Sequence, residues 1–245
     1  MRNLISKLVF CAAAAVMLGV ASGEARADGI VFMGQDPCFP AGVGRGCGSD
    51  RSPHVLSIQG HTTASGSVGR STSSPTTDVK TDDWQRGSNT QTVSLTEIGT
   101  TQASDIRIYY DINEPNTTLR RAVSLNSLVL NAYNDAGQLV FSASLVSSPA
   151  VLDEVGNGQG HSDYVFGLDA TAAAQLQAAI AANQGNIRLG LSASVSSAEG
   201  GPESFFIGAQ PAAVPEPATM ILLGTGLAGV AARARKRRKG RSDQT

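Results

Sequence analysis

Residues 187–195, with the sequence IRLGLSASV, decide the fold of this chain. Every second position is apolar, and Arg, Gly or Ser fills the places between: the apolar positions are Ile187, Leu189, Leu191, Ala193 and Val195. Because successive side chains of a strand point to opposite faces, this period buries one face and leaves the other in solvent. Such alternation is typical of an antiparallel sheet with one wet face.

The same period recurs earlier in the chain, at 106–110 and at 139–145. A third run changes phase, since Val123 and Leu125 are odd-numbered whereas Leu128 and Leu130 are even-numbered. One extra residue in a strand produces this change, so the sequence predicts a β-bulge near Asn126–Ser127.

One segment has the period of a helix. Ala170 to Gln184 is rich in Ala, follows Asp169 as a candidate N-cap and precedes Gly185 as a candidate C-terminal stop. The apolar side chains on one face of this helix are Ala173, Leu176 and Ile180. A single short α-helix among six to eight strands predicts a mainly β domain over 91–213, an antiparallel, jelly-roll-like β-sandwich.

The segment 28–90 differs in composition from the predicted sandwich. It is rich in Gly, Ser, Thr and Pro, which predicts a partly irregular N-terminal region. Cys38 and Cys47 flank a Gly-rich loop, and in an oxidising compartment such a pair predicts a disulfide. A zinc site is the alternative, with His54 and His61 as its only further candidate ligands.

Residues 1–27 have the three parts of a secretory signal peptide. Arg2 and Lys7 precede an apolar run, Leu8 to Ala21, which predicts a signal helix. Ala25 and Ala27 then supply the small residues that signal peptidase reads at −3 and −1. Export with cleavage after Ala27 is therefore predicted, and a retained membrane anchor is the alternative.

Residues 214–241, at the C-terminal end, also form a three-part segment with an apolar run in the middle. Pro215, Glu216 and Pro217 precede a short apolar run, Met220 to Ala232, which predicts a C-terminal hydrophobic helix of marginal length for a membrane span. A basic tail follows, containing Arg233, Arg235, Lys236, Arg237 and Arg238. Because positive charge stays in the cytoplasm, the tail is expected to hold its end on that side with the preceding domain outside.

This tripartite end resembles the PEP-CTERM sorting signal of Gram-negative bacteria that produce exopolysaccharide. The match is literal at Pro215, Glu216 and Pro217 and covers about the last 30 residues. The resemblance implies that an exosortase recognises the motif and removes the tail, and that the protein reaches the outer surface or the extracellular matrix. A plain C-terminal anchor is the alternative.

Removing both ends changes the charge of the protein. The whole chain has a formal net charge of −1, but the part from Asp28 to Ala213 holds nine basic and 17 acidic residues. A domain of about −8 is a poor partner for nucleic acid, so the sequence argues against that class of ligand.

Sites for chemistry are scarce in this sequence. No catalytic residues and no cofactor are predicted, and an enzyme is not expected. Calcium is the remaining hypothesis, since Asp111, Asn113 and Glu114 crowd one segment with oxygen ligands, although Asn and Asp are also common turn residues. The expected role is a structural or adhesive component associated with exopolysaccharide or biofilm. The alternatives are a carbohydrate- or calcium-binding module and a hydrolase acting on polysaccharide.

Overall fold

The computed structural model describes residues 27–36, 52–114, 122–148, 150–154 and 162–210. The strands in this part are β1 (Ala27–Gln35), β2 (His54–Ile58), β3 (Thr63–Ser71), β4 (Ser74–Asp82), β5 (Val93–Ser94), β6 (Ile106–Asp111), β7 (Ala122–Asn134), β8 (Leu139–Leu145), β9 (Ala150–Asp153), β10 (Tyr164–Leu168), β11 (Ile187–Ser196) and β12 (Glu203–Ala209). The helices are α1 (Leu95–Ile98) and α2 (Ala170–Ala182), and a 3-10 turn spans Ala103–Asp105.

All twelve of these strands belong to one sheet. Its order is β2-β12-β6-β10-β1-β8-β7-β11-β3-β4, with β5 added beside β11 and β9 beside β7. Neighbouring strands run antiparallel with one exception among the described pairs, since β1 and β8 are parallel. The first strand of the described part therefore lies in the middle of the sheet.

The sheet curls until its two ends are joined by a short segment after β4. The Gln59 amide donates to the Asp83 carbonyl at 3.0 Å, and the Gln85 amide donates to the Ser57 carbonyl at 2.9 Å. The Asp83 amide donates in turn to Ser65 of β3 at 2.8 Å. Residues 83–85 thus bond to β2 on one side and to β3 on the other.

The core lies on the concave side of this curled sheet. The alternating run at 187–195 forms β11, and its five apolar side chains are at most 3% exposed. The period-two runs at 106–110 and 139–145 form β6 and β8, so these three strands are confirmed. The predicted wet face of the first run is wrong, because every residue of β6 is buried. A smaller apolar cluster of Tyr109, Val165 and Phe206 lies on the opposite face of the sheet.

The predicted bulge lies in β7. Ser127 pairs with Ser194 of β11, but the next pair joins Leu125 to Val195, so Asn126 is the extra residue. Both Asn126 and Ser127 are exposed, whereas their apolar neighbours are buried. The phase change in the sequence is confirmed, and it coincides with the point where β7 changes its partner from β8 to β9.

Helix α2 also begins where the sequence predicts. The Asp169 Oδ1 atom accepts a 2.7 Å bond from the Ala172 amide, the usual N-cap contact. Gly185, just past the end, has φ +81°, a value that favours glycine. The apolar face made by Ala173, Leu176 and Ile180 is buried against the sheet.

The predicted architecture is confirmed at the level of a mainly β fold with a short helix. The strands form one continuous curled sheet, and a jelly-roll arrangement of two sheets is not confirmed. Strands β1 to β4, from the polar segment 28–90, share this sheet with the strands that follow. Strand β4 can consist mainly of polar residues because it is the last strand in the sheet order and leaves most of its residues in solvent.

The predicted signal helix and C-terminal hydrophobic helix lie outside the described residues. Within the described part, neither helix has the length and apolar character needed to span a membrane.

Candidate functional site

The residues of the predicted sorting signal and disulfide are not among those that the structure describes. This applies to Pro215, Glu216 and Pro217, to the basic residues from Arg233 onward, to Ala25, and to Cys38 and Cys47. Ala27 is the exception, because its backbone forms the first position of β1. The described candidates are Asp111, Asn113 and Glu114, the three calcium candidates.

These candidates lie at one edge of the sheet, where buried carboxyl groups from several strands meet. Because neighbouring strands are antiparallel, the end of β6, the start of β10, the end of β1 and the start of β12 lie side by side. We call the resulting group the acidic edge. Its members, all 5% exposed or less, are Asp36, Asp111, Glu114, Glu154, Asp163 and Glu203.

Backbone amides account for several of the hydrogen bonds to these carboxyl groups. Asp163 Oδ2 accepts a 2.8 Å bond from the Ile112 amide, and its own amide donates to the Tyr110 carbonyl at 2.8 Å. Asp36 accepts a hydrogen bond from the Ser162 hydroxyl, and its amide donates to the Asp163 carbonyl. These contacts hold the ends of β6, β10 and β1 together.

Glu114 performs the same role for the turn between β11 and β12. Its Oε1 accepts from the amides of Glu199 at 2.8 Å and Gly200 at 3.1 Å, and its Oε2 lies 3.1 Å from the Glu199 amide. The Asn113 carbonyl accepts from Gly201 at 2.7 Å. The segment that the sequence marked as a calcium candidate therefore anchors a neighbouring turn.

Glu203 is a member of the acidic edge that bonds to a buried tyrosine. Its Oε2 accepts a 2.7 Å bond from the Tyr110 hydroxyl, and the pair is buried beneath Phe205, whose ring stacks on that of Tyr110. Burial raises the pKa of Glu203 to about 8, the bond from Tyr110 opposes the rise, and the charges of Glu114 and Asp111 add to it. The same burial, with Glu203 beside it, raises the pKa of Tyr110 well above its ordinary value.

The geometry of the acidic edge does not match a metal centre. Among the described residues, no group of three or more His, Cys, Asp or Glu side chains is arranged to hold a metal ion. The carboxyl oxygens of four members, Asp36, Glu114, Asp163 and Glu203, accept hydrogen bonds from backbone amides or hydroxyls. The chemistry that this arrangement supports is the hydrogen bonding of strand ends.

A second polar group was missed by sequence reasoning. His54 Nε2 lies 3.0 Å from Ser57 Oγ, which lies 2.8 Å from Ser204 Oγ across the β2–β12 pair. Burial lowers the pKa of His54, against a smaller opposing effect of the Asn89 backbone. Ser57 is only 2% exposed, so this network joins two strands. Only the strand register reveals it, because Ser57 and Ser204 are far apart in the sequence.

Comparison with known families identifies the C-terminal end. Residues 213–238 match the family model of the PEP-CTERM protein-sorting motif. No curated protein and no solved structure matches the chain. The motif marks an exported protein that an exosortase sorts and processes, and it implies a location in the cell envelope or at the surface.

Proposed function

We propose that this protein is a structural or adhesive component of the cell surface or of an extracellular matrix that contains exopolysaccharide. The single observation that carries the proposal is the PEP-CTERM protein-sorting motif at residues 213–238. In the proposed route, signal peptidase cuts after Ala27. The apolar segment then holds the protein transiently in the inner membrane, and an exosortase removes the tail near Pro215–Pro217.

The charge of the exported part supports this role. Between Asp28 and Ala213 the chain carries 17 acidic and nine basic residues, and six of the acidic ones form the acidic edge. The remaining acidic side chains give a soluble domain with little affinity for anionic membranes or nucleic acid. A neutral or cationic polymer is a more compatible neighbour.

The described region also supports a non-enzymatic role. The buried carboxyl groups of Asp163 and Glu114 accept hydrogen bonds from backbone amides, and the His54–Ser57 contact involves a serine that is almost fully buried. Catalysis requires groups that a substrate can reach. What the fold offers is a stable curled sheet that can be carried to the surface and held there.

The sorting step is tested by replacing Pro215, Glu216 and Pro217 with Ala in the native host. The expected result is a protein that retains its basic tail and stays with the inner membrane, as in a strain without its exosortase. Pro211→Ala is the matched control, because it removes a proline just before the matched segment. Unchanged tail removal in the triple variant, read by mass spectrometry of the C-terminal peptide, contradicts the proposal.

The role after sorting needs a separate measurement. The processed protein should be retained saturably on exopolysaccharide from the same organism, or deletion of its gene should weaken cell–matrix adhesion without shortening the polymer. Shortening of the polymer by purified protein identifies a hydrolase and overturns the structural role. Absence of both retention and adhesion effects also overturns it.

A further inference from the structure

Strand β1 has an unusual place for the first strand of an exported domain. It lies between β8, with which it runs parallel, and β10, with which it runs antiparallel. Ile30 is fully buried in the main core, and its carbonyl accepts a 2.9 Å bond from the Val146 amide. The Gly29 carbonyl accepts from the Asp169 amide at 2.7 Å, which connects β1 to the start of α2. The sheet is therefore incomplete until this strand is in place.

The predicted cleavage site coincides with the start of the same strand. Ala27 pairs with Ala143 of β8, and Asp28 pairs with Ser144. A peptidase that reads residues −3 and −1 needs an extended chain that is free of the sheet. Cleavage after Ala27 must therefore precede the docking of β1. This step rests on the proposed export route.

Until β1 docks, the sheet contains a groove between β8 and β10. One wall of the groove is helix α2, where a Cβ atom at position 29 would lie 2.2 Å from the Cβ of Ala172. Further along, Phe32 contacts the rings of Tyr164 and Phe166, with centroids 5.8 and 5.5 Å away. The groove therefore fits a strand with glycine at position 29, an aliphatic residue at position 30 and an aromatic residue at position 32.

The chain allows this strand to come from elsewhere. Residues 36–53 connect β1 to β2, which lies four places away in the sheet, and a segment of that length can span at most about 60 Å. The contacts that β1 makes in its own sheet are available unchanged in the sheet of an identical molecule. Exchange of identical elements is a recognised route to association because it creates few new contacts.

We propose that the groove between β8 and β10 binds the Asp28–Gln35 strand of a second copy of this chain, so that exported copies associate by strand exchange. Addition of a strand to exposed sheet edges is an established mode of recognition, with backbone bonds supplying affinity and side-chain pockets supplying specificity. The interval between cleavage and docking is when a neighbour's strand competes with the chain's own strand. High local concentration at the membrane favours the exchanged form.

Two single-cysteine proteins test the exchange. Val31 and Gly167 are paired across β1 and β10, at a separation compatible with a disulfide. We would replace Cys38 and Cys47 with Ser, make Val31→Cys in one tagged copy and Gly167→Cys in another, and produce both in one cell. The expected product is a covalent dimer that contains both tags. The matched control pairs Val31→Cys with Val79→Cys, which lies exposed on β4 away from the groove.

A peptide experiment covers the case in which a cysteine variant does not fold. A synthetic peptide with the sequence of residues 28–36 is added while the unaltered exported chain refolds, and the oligomer distribution is measured by light scattering. The expected result is a shift from oligomers to smaller species. The Gly29→Val peptide should have no effect, because its side chain meets Ala172.

The proposal is overturned if the exported chain is monomeric at all concentrations and the paired-cysteine mixture gives no two-tag dimer. The premise is read separately from the N-terminal sequence of the mature protein, which should begin at Asp28. A different N-terminus refutes the export route as stated, whereas an N-terminus at Asp28 without exchange refutes only the strand-exchange proposal.

Discussion

The Tyr110 hydroxyl and the Glu203 carboxyl are joined by a 2.7 Å hydrogen bond at a point where both side chains are out of contact with solvent. Tyr110 comes from β6 and Glu203 from the first position of β12, so the bond fixes two neighbouring strands at the acidic edge. Phe205 stacks parallel to Tyr110 at 4.4 Å and closes the site from the side of the core. This buried position therefore favours the protonated carboxyl group of Glu203 over the charged carboxylate.

The first prediction is that stability decreases with rising pH through Glu203. The ordinary pKa of this group is 4.5, and burial raises it to about 8 in the folded protein. Between these values the folded state keeps a proton that the unfolded chain has released. The contribution to the free energy of unfolding is therefore fully present below pH 4.5 and is lost as the pH rises to about 8. Its slope is on the order of 1 kcal/mol per pH unit.

Glu203→Gln should remove this dependence, because the amide keeps the shape and an oxygen acceptor for Tyr110. Denaturant unfolding at pH 5 and pH 8 measures it. The unaltered protein should lose more stability between the two values than the variant does. Parallel losses in the two proteins contradict the assignment.

A second prediction concerns the hydroxyl of Tyr110. Tyr110→Phe leaves Glu203 buried without its 2.7 Å donor and should lower the free energy of unfolding by about 1–3 kcal/mol. Tyr109→Phe is the matched control on the opposite face, where the hydroxyl makes a longer bond of 3.3 Å to the Ala209 carbonyl. Chemical denaturation at pH 6 compares them. Equal losses in the two variants contradict a special role for the Tyr110–Glu203 pair.

The N-cap of α2 gives a third prediction. Asp169→Ala removes the 2.7 Å bond to the Ala172 amide and should destabilise the protein by about 1 kcal/mol. Asp169→Asn keeps an oxygen acceptor at the same place and should retain most of the stability. The midpoint of urea unfolding distinguishes the two. A midpoint that is unchanged in Asp169→Ala argues against the cap.

The contact between Gly29 and α2 gives a fourth prediction. Gly29→Ala places a methyl group 2.2 Å from the Cβ of Ala172 and should cost about 1–3 kcal/mol, because either the helix or the strand must move. Ala172→Gly should cost about 1 kcal/mol through helix propensity alone. In the double variant the clash is gone, so the combined loss should be smaller than the sum of the single losses. A strictly additive pair contradicts the contact.

The fifth prediction is that calcium leaves the fold unchanged. Glu114 already accepts bonds from Glu199 and Gly200, and the described region holds no acidic group arranged for a metal. The melting temperature should be the same in millimolar calcium and in chelator. A clear rise with calcium restores Asp111, Asn113 and Glu114 as candidate ligands.

Local patterns were sufficient for much of the fold. The alternation in β11, the phase change at Asn126 and the Asp169 N-cap of α2 each depend on neighbouring residues, and each is confirmed. The predicted end of α2 was two residues too late, since the helix ends at Ala182 and not at Gln184. The six to eight strands predicted over 91–213 agree with β5 to β12, but β3 and β4 in the preceding segment were not predicted. Both are rich in Ser, Thr and Gly, and β4 leaves most of its residues exposed. A strand held by backbone bonds at the end of a sheet leaves little trace in apolar patterning.

Sheet topology and the acidic edge could not be read in the same way. Asp163, Glu203 and Asp36 meet because β10 and β12 lie on either side of β6 and β1 lies beside β10. No local pattern in the sequence encodes that strand order. The sequence identified Asp111 and Glu114 from their spacing but suggested a cation as their partner. In the structure the Glu114 carboxyl accepts hydrogen bonds from the Glu199 and Gly200 amides, and these become apparent only when the strand ends are aligned.

Residues 83–85, which join the two ends of the curled sheet, have a consequence for survival outside the cell. A peptide cleavage between Asp82 and Gly87 would cut a segment whose backbone bonds to both β2 and β3, so it would weaken the place where the curled sheet closes. Protection of this short stretch around Trp84 from proteases therefore bears on how long the sheet stays closed. Lys80, whose ammonium lies 4.6 Å from the centre of the Trp84 ring, is a side chain that packs there.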